Sequence, residues 1–310
     1  MKKITSCFLA LLVVLVSFGQ KTETVYLNPL DSTSNMYVII YPPKIPLKGF
    51  MFLIPSFGEA PTTVLSQTKI PNEAAQQGIL TVVPTFKTGP YSLGVDTATQ
   101  SSFLEILDHI ISRHKLIDTK FYVGGFSIGG TCAVKYAELA NQKNYKYKPS
   151  AVFAIDPPLD FERFYNVARR NIRLSKDIQP NQESVYMVDR LEKEISGTPL
   201  TNKYNYQNYS PYSASDTTQK AVKSLSSTPI MFFSEPDINW WLSERGFDFY
   251  NMNVIDAAAM VNELRRLGNS KAILITTENK GYRQPGNRRH PHSWSIADPE
   301  KVIKWLLDQQ

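Results

Sequence analysis

Short apolar runs alternate with longer amphipathic stretches along most of this chain. Gly49–Ile54 (GFMFLI), Ala151–Ile155 (AVFAI), Ala272–Thr276 (AILIT) and residues 79–83, 120–123 and 229–233 are nearly continuous in apolar residues. Runs of that length and evenness predict strands buried on both faces, as in a parallel sheet. Between them the apolar period lengthens to that of a helix. After Asp96, a good N-cap, Phe103, Ile106, Leu107, Ile110 and Ile111 recur on one face. Further helices are expected over 63–77, 131–139 and 254–267, the last ended by Gly268, and from Asp298-Pro299 to Leu307. Ahead of this series, 24–27 and 36–41 read as two strands separated by the turn residues Asn28-Pro29 and Asp31-Ser32. Strands alternating with helices predict an α/β fold, a mostly parallel central sheet with helices on both faces.

The rhythm breaks after Asp156-Pro157-Pro158 and resumes at about residue 229. Residues 157–228 are polar, basic and rich in tyrosine, with helical stretches over 161–173 and 184–194. They are expected to form an inserted helical cap. Its tyrosines, Tyr204, Tyr206, Tyr209 and Tyr212, could line a substrate site or simply pack the insertion, and Tyr209 is taken as a candidate for the former.

The N-terminus reads differently again. Met1-Lys2-Lys3, the apolar Cys7 to Val16 and the small residues before Lys21 have the form of a secretory signal peptide over 1–20. Its apolar core is too short to span a membrane, so a secreted or periplasmic protein is expected, with no stable membrane span once it is removed. Cleavage would leave Cys132 as the only cysteine, a small buried hydrophobe in this reading, and no internal disulfide. The net charge is +6, two units of it from Lys2 and Lys3, and the basic residues are scattered without interleaved aromatics, so nucleic-acid binding is not expected. With 310 residues, 42% of them hydrophobic, one domain of 21–310 carrying the insertion has ample core.

One local motif gives this architecture a chemistry. Gly125-Phe126-Ser127-Ile128-Gly129 lies between a predicted strand and a predicted helix. That is the nucleophile-elbow pattern, in which small flanking residues allow a turn tight enough to expose a serine above the sheet edge. Ser127, the acids Glu235 and Asp237 after the next-to-last strand, and His292 after the last strand then follow in chain order. In these residues the chain resembles the α/β-hydrolase superfamily, in particular serine esterases and prolyl-oligopeptidase-like hydrolases, from about residue 36 onward apart from the insertion.

The resemblance implies a Ser-His-Asp triad of Ser127, His292 and Asp237, with Glu235 as the alternative acid and Asp156, one strand earlier, as an outside candidate. Among four histidines, His109 and His114 fall on the helix before the elbow strand, leaving His292 or His290 as base. An oxyanion hole would use the backbone N–H groups of Ile128 and, in the loop after Gly49–Ile54, Phe57. Trp240 and Trp241, just beyond the acid, are further candidates for the substrate cleft. His290 and His292 could instead form an H-x-H metal pair, but no H-E-x-x-H and no cysteine cluster would complete it, so no metal and no cofactor are expected. The implied activity is hydrolysis of a small-molecule carboxylic ester through an acyl-enzyme. Peptide hydrolysis by the same residues, or a non-catalytic binding protein on the same scaffold, are the alternatives.

Overall fold

The structure is a computed structural model that describes residues 21–175 and 182–309. The expected signal segment, with Cys7, lies outside the described residues. Eight strands form one sheet: β1 (Thr22–Tyr26), β2 (Met36–Ile40), β3 (Gly49–Ile54), β4 (Ile79–Thr85), β5 (Phe121–Phe126), β6 (Ala151–Ile155), β7 (Ile230–Ser234) and β8 (Ala272–Thr276). Their spatial order is β1-β2-β4-β3-β5-β6-β7-β8. β2 runs antiparallel to both β1 and β4, and the pairs from β4 to β8 are all parallel. Parallel neighbours require crossovers, and the helices supply them.

Those helices are α1 (Pro61–Gln67), α2 (Ile70–Gln76), α3 (Thr97–His114), α4 (Ile128–Gln142), α5 (Phe161–Leu174), α6 (Gln182–Ile195), α7 (Lys203–Tyr209), α8 (Lys220–Ser224), α9 (Ile238–Arg245), α10 (Val254–Arg266) and α11 (Pro299–Leu307). The period of two in the strands divides their side chains between two cores. Phe50, Phe52 and Ile54 of β3 face α3, α4 and α10, whereas Met51 and Leu53 face α1, α2 and α11. This two-sided burial is why the strand sequences are apolar without alternation. Where one helix is expected over 63–77, there are two. Thr68 is extended between them, and Pro71, which has no N–H to give, stands in the first turn of α2.

Between β6 and β7 the chain folds into α5 to α8. Phe161, Tyr165, Met187, Leu191 and Tyr206 from these helices are buried together with Ile128, the first residue of α4. Polar anchors fix them to the sheet layer. Asp256 of α10 accepts from the N–H groups of Leu159 and Asp160 and pairs with Arg163. The buried Lys135 ammonium binds both oxygens of Glu138 and the carbonyl of Asn208. Removing one partner of such a buried pair strands a charge, at a cost of about 3–5 kcal/mol.

Candidate active site

Ser127 ends β5 and caps α4 with φ 53° and ψ −124°, a conformation that L residues avoid. The flanking glycines explain how the turn closes. A Cβ on Gly125 would lie 2.5 Å from the Gly129 carbonyl carbon and 2.7 Å from the Ile54 oxygen, and one on Gly129 would run into the carbonyl oxygens of Ile54 and Pro55. The helix N-terminus and the β3 backbone thus meet at a spacing only glycine permits. The N–H of Ile128, first in the helix, donates to no protein acceptor among the described residues, and neither does that of Phe57 in the loop after β3. Both residues line one cleft with Ser127.

The backbone ladder carries the site across the neighbouring strands. The N–H of Ser127 donates to Ile155 O at 2.8 Å, and that of Asp156 to Phe233 O at 2.7 Å. Asp156 therefore stands just past β6, between the elbow and the end of β7. It too has a positive φ, 46°. Its backbone carbonyl accepts from Asn253 Nδ2 at 2.9 Å and its Oδ1 from Ser234 Oγ at 2.9 Å. Its Oδ2 lies 2.6 Å from Nδ1 of His292. A strained aspartate held on three sides and bonded to an imidazole is a positioned group.

Asp237, the acid expected from the resemblance, is not beside His292. Its side chain caps α9 by accepting from the N–H of Trp240 and pairs with Arg289 at 2.6 Å. Glu235, the alternative, is buried. It pairs with Arg289 at 2.6 Å and accepts from Thr277 and from the N–H groups of Lys280 and Gly281, holding the loop that follows β8. One arginine thus takes both acids after β7, and the acid after β6 takes the histidine.

His292 lies in the loop beyond a two-stranded hairpin, β9 (Tyr282–Arg283) and β10 (Arg288–Arg289). Its ring packs against Phe126, with centroids 4.5 Å apart. Its backbone carbonyl accepts from Nε and Nη2 of Arg283, and its N–H donates to Nδ1 of His290 at 3.2 Å. His290 supports this loop from below. It is buried against Trp240 and Trp241, and desolvation together with the positive charge of Arg283 pushes its pKa down to about 2. It is a neutral imidazole, with Nδ1 as acceptor. The Ser127 hydroxyl has no hydrogen-bond partner in the protein among the described residues, while Ser127 and His292 line the same cleft.

That cleft has a volume of about 1190 Å3. Trp241 lines it. Trp240 packs behind on His290, and Tyr209 faces a separate crevice with Lys135 and Asn208. Tyr186 and Met187 of α6 supply the wall expected of Tyr209, and Tyr186 lies edge-on to Phe57. Glu59 is a functional candidate that the sequence reading missed. Its carboxylate accepts from the Ser56 N–H at 2.9 Å and from the Trp294 indole at 3.0 Å, tying the loop of Phe57 to the loop of His292. Burial raises its pKa. Nothing local marks it, since the two loops are 235 residues apart in the chain. Among the described residues no group of three or more His, Cys, Asp or Glu side chains could hold a metal ion, and no helix is long and apolar enough to cross a membrane.

Neither a protein-family model nor a curated protein matches the sequence. Solved structures do match in shape. A fluorophosphonate-binding serine hydrolase of Staphylococcus aureus superposes with a TM-score of 0.54 at 15% identity, over 93% of this chain and 99% of that one. An S-formylglutathione hydrolase from Agrobacterium tumefaciens gives 0.56 at 13% identity, over 94% and 96%. The acylaminoacyl peptidase of Pyrococcus horikoshii gives 0.58 at 12% identity, over 92% of this chain and 40% of that longer one. Strand order, the elbow after β5 and these superpositions agree, and the chain has the α/β-hydrolase fold.

Proposed function

We propose that the protein is an exported serine hydrolase that cleaves carboxylic esters, with Ser127 as nucleophile, His292 as base and Asp156 as the acid of the triad. The observation that carries this reading is the 2.6 Å bond between His292 Nδ1 and Asp156 Oδ2 at the cleft that Ser127 lines. Bonded to the carboxylate, Nδ1 keeps its hydrogen and Nε2 is free to accept one. Ser127 Oγ attacks the ester carbonyl while its proton passes to His292 Nε2. The resulting oxyanion meets the N–H groups of Ile128 and Phe57, each such donor being worth roughly 10²–10³ in rate. His292 then protonates the departing alcohol. A water molecule, deprotonated in turn by His292, attacks the acyl carbon, and the C–Oγ bond breaks as His292 returns the proton to Ser127 Oγ and the acid leaves. Export is supported by the charged, apolar and small-residue succession of residues 1–20.

The test is hydrolysis of p-nitrophenyl butyrate by the protein from residue 21 onward, beside Ser127→Ala, with a fluorophosphonate probe as a second readout. Turnover and labelling that both vanish in Ser127→Ala are expected. Labelling without turnover would mean a different acyl or alcohol group. A native protein whose Ser127 takes no label would leave the binding-protein alternative. N-terminal sequencing of protein recovered outside the cytoplasm is expected to begin within a few residues of Lys21, and an intact Met1 there would reject cleavage.

A further inference from the structure

The hairpin β9–β10 puts two arginines on the rim of the cleft. Arg283 and Arg288 are direct cross-strand partners, and both line the cavity that holds Ser127 and His292. Like charges in directly opposed positions weaken a strand pair, so this arrangement costs stability unless an anion meets it. The neighbouring arginine on the same hairpin is neutralised by two acids, Glu235 and Asp237. Among the described residues, Arg283, Arg288 and Arg245 form no ion pair at all. Arg283 is fixed in place, since its Nε and Nη2 both donate to the His292 carbonyl, and its Nη1 has no partner among the described residues.

The carboxylates along the cleft are otherwise engaged. Asp156 holds His292, Glu235 holds Arg289, and Glu59 holds the Ser56 N–H and the Trp294 indole. Glu183, exposed on α6, also faces the cleft, and like Glu59 it forms no ion pair among the described residues. Burial first, and then the positive charges of Arg245 and Arg288, hold the pKa of Arg283 below the usual guanidinium range, with Glu183 and Glu59 acting against them. Two arginines without an ion pair thus stand opposite each other at the cleft, one of them bonded to the loop of His292.

We propose that Arg283 and Arg288 form an oxyanion-binding subsite at the mouth of the cleft, and that the substrate is an ester bearing a carboxylate or phosphate-like group away from its scissile bond. This inference rests on the hydrolase reading above. Arginine suits the task because its planar N–H groups match the spacing of carboxylate and phosphate oxygens. The exposed Arg288 side chain makes the subsite sensitive to salt.

Three p-nitrophenyl esters of similar length test it: the neutral methyl glutarate diester, the glutarate monoester and the 4-phosphonobutyrate. The wild-type protein is expected to prefer an anionic ester over the neutral one by about tenfold in kcat/KM, mostly through KM. The preference should shrink as salt rises and disappear or invert in Arg288→Glu and fall in Arg288→Ala, two surface changes whose folding a thermal melt verifies. Whichever anion is preferred names the group. Equal kcat/KM for neutral and anionic esters in the wild type, or a preference that Arg288→Glu leaves intact, would overturn the subsite. If none of the three turns over, monomethyl against dimethyl glutarate is compared for protection of Ser127 from a neutral fluorophosphonate, with the same reading of the outcomes. Absence of all labelling rejects the hydrolase reading alone. Calorimetric titration of glutarate then decides the subsite: binding lost in Arg288→Glu supports it, and no binding to wild type overturns it.

Discussion

Replacing Asp156 by asparagine separates the acid chosen by the tertiary structure from the one suggested by chain order. Asparagine keeps nearly all of the aspartate's surroundings. It adopts a positive φ about as readily as aspartate, so the 46° backbone is retained. Its Oδ1 still accepts from Ser234 Oγ, now 2.9 Å away. What changes is the atom 2.6 Å from His292 Nδ1, which becomes an NH2. Two donors then face each other unless the imidazole moves its hydrogen to Nε2, and in that tautomer it cannot take the proton of Ser127. The same substitution in the general Ser-His-Asp template lowers kcat about 10⁴-fold, which is about 5.5 kcal/mol of transition-state stabilisation. The assay is kcat on p-nitrophenyl butyrate, with a thermal melt to show that the variant folds. Asp237→Asn is the control. It keeps a competent N-cap and loses a partly exposed ion pair with Arg289, so about 1 kcal/mol of stability and less than threefold in kcat are expected to go. An Asp156→Asn protein with more than a tenth of wild-type kcat would refute the assignment. So would an Asp237→Asn protein that folds normally but has lost a thousandfold.

Further expectations test the scaffold. Gly129→Ala puts a Cβ against the Ile54 and Pro55 carbonyl oxygens, which are backbone atoms with nowhere to go. About 3 kcal/mol or more should be lost, lowering Tm by roughly 5 °C or more at this chain length, and a shift of only a degree would show the elbow to be looser than described. His290 is neutral and buried when folded, with its pKa near 2 against an ordinary value of 6.5. The unfolded chain therefore binds the proton first, and stability is complete above about pH 6.5 and declines as pH falls toward 2. Between pH 7 and 4.5 that amounts to about 2–3 kcal/mol from this residue. His290→Asn, which keeps an acceptor for the His292 N–H, should unfold in urea with correspondingly less pH dependence. Equal slopes for the two proteins would count against a buried neutral His290. Cys132 is buried beside Gly94 and Gln100, and burial raises its thiol pKa. It should resist iodoacetamide in the native protein and react once denatured, whereas rapid native alkylation would contradict that burial.

The features that were readable from sequence are those whose cause lies within a few residues. Gly49–Ile54 is apolar throughout because both of its faces are covered, and the strand has those same bounds. Asp96 and Asp298 cap the helices expected of them, since a cap needs only a side chain and an N–H three residues on. Gly125 and Gly129 follow from contacts made inside one turn and with the adjoining strand. The cleft wall was harder to read. Tyr209, Tyr186 and Trp240 differ little in local pattern, and only the packing of α6 against the loop of Phe57 brings Tyr186 to the cleft.

The sequence by itself determined the alternating α/β layout, the elbow at Ser127 and the short set of histidines and acids from which a base and its partner could come. The tertiary structure decided how these are paired. Asp156 and Asp237 each follow a strand that ends at the same edge of the sheet, and chain order favoured Asp237, because nothing local to either acid shows which one meets the histidine. The separation comes from elements distant in the chain: Ser234 and Asn253 fix Asp156 from β7 and the start of α10, while the hairpin arginine Arg289 draws off Glu235 and Asp237. An ion pair forms with whichever opposite charge the fold brings within a few ångströms, and that distance is a property of the packed chain.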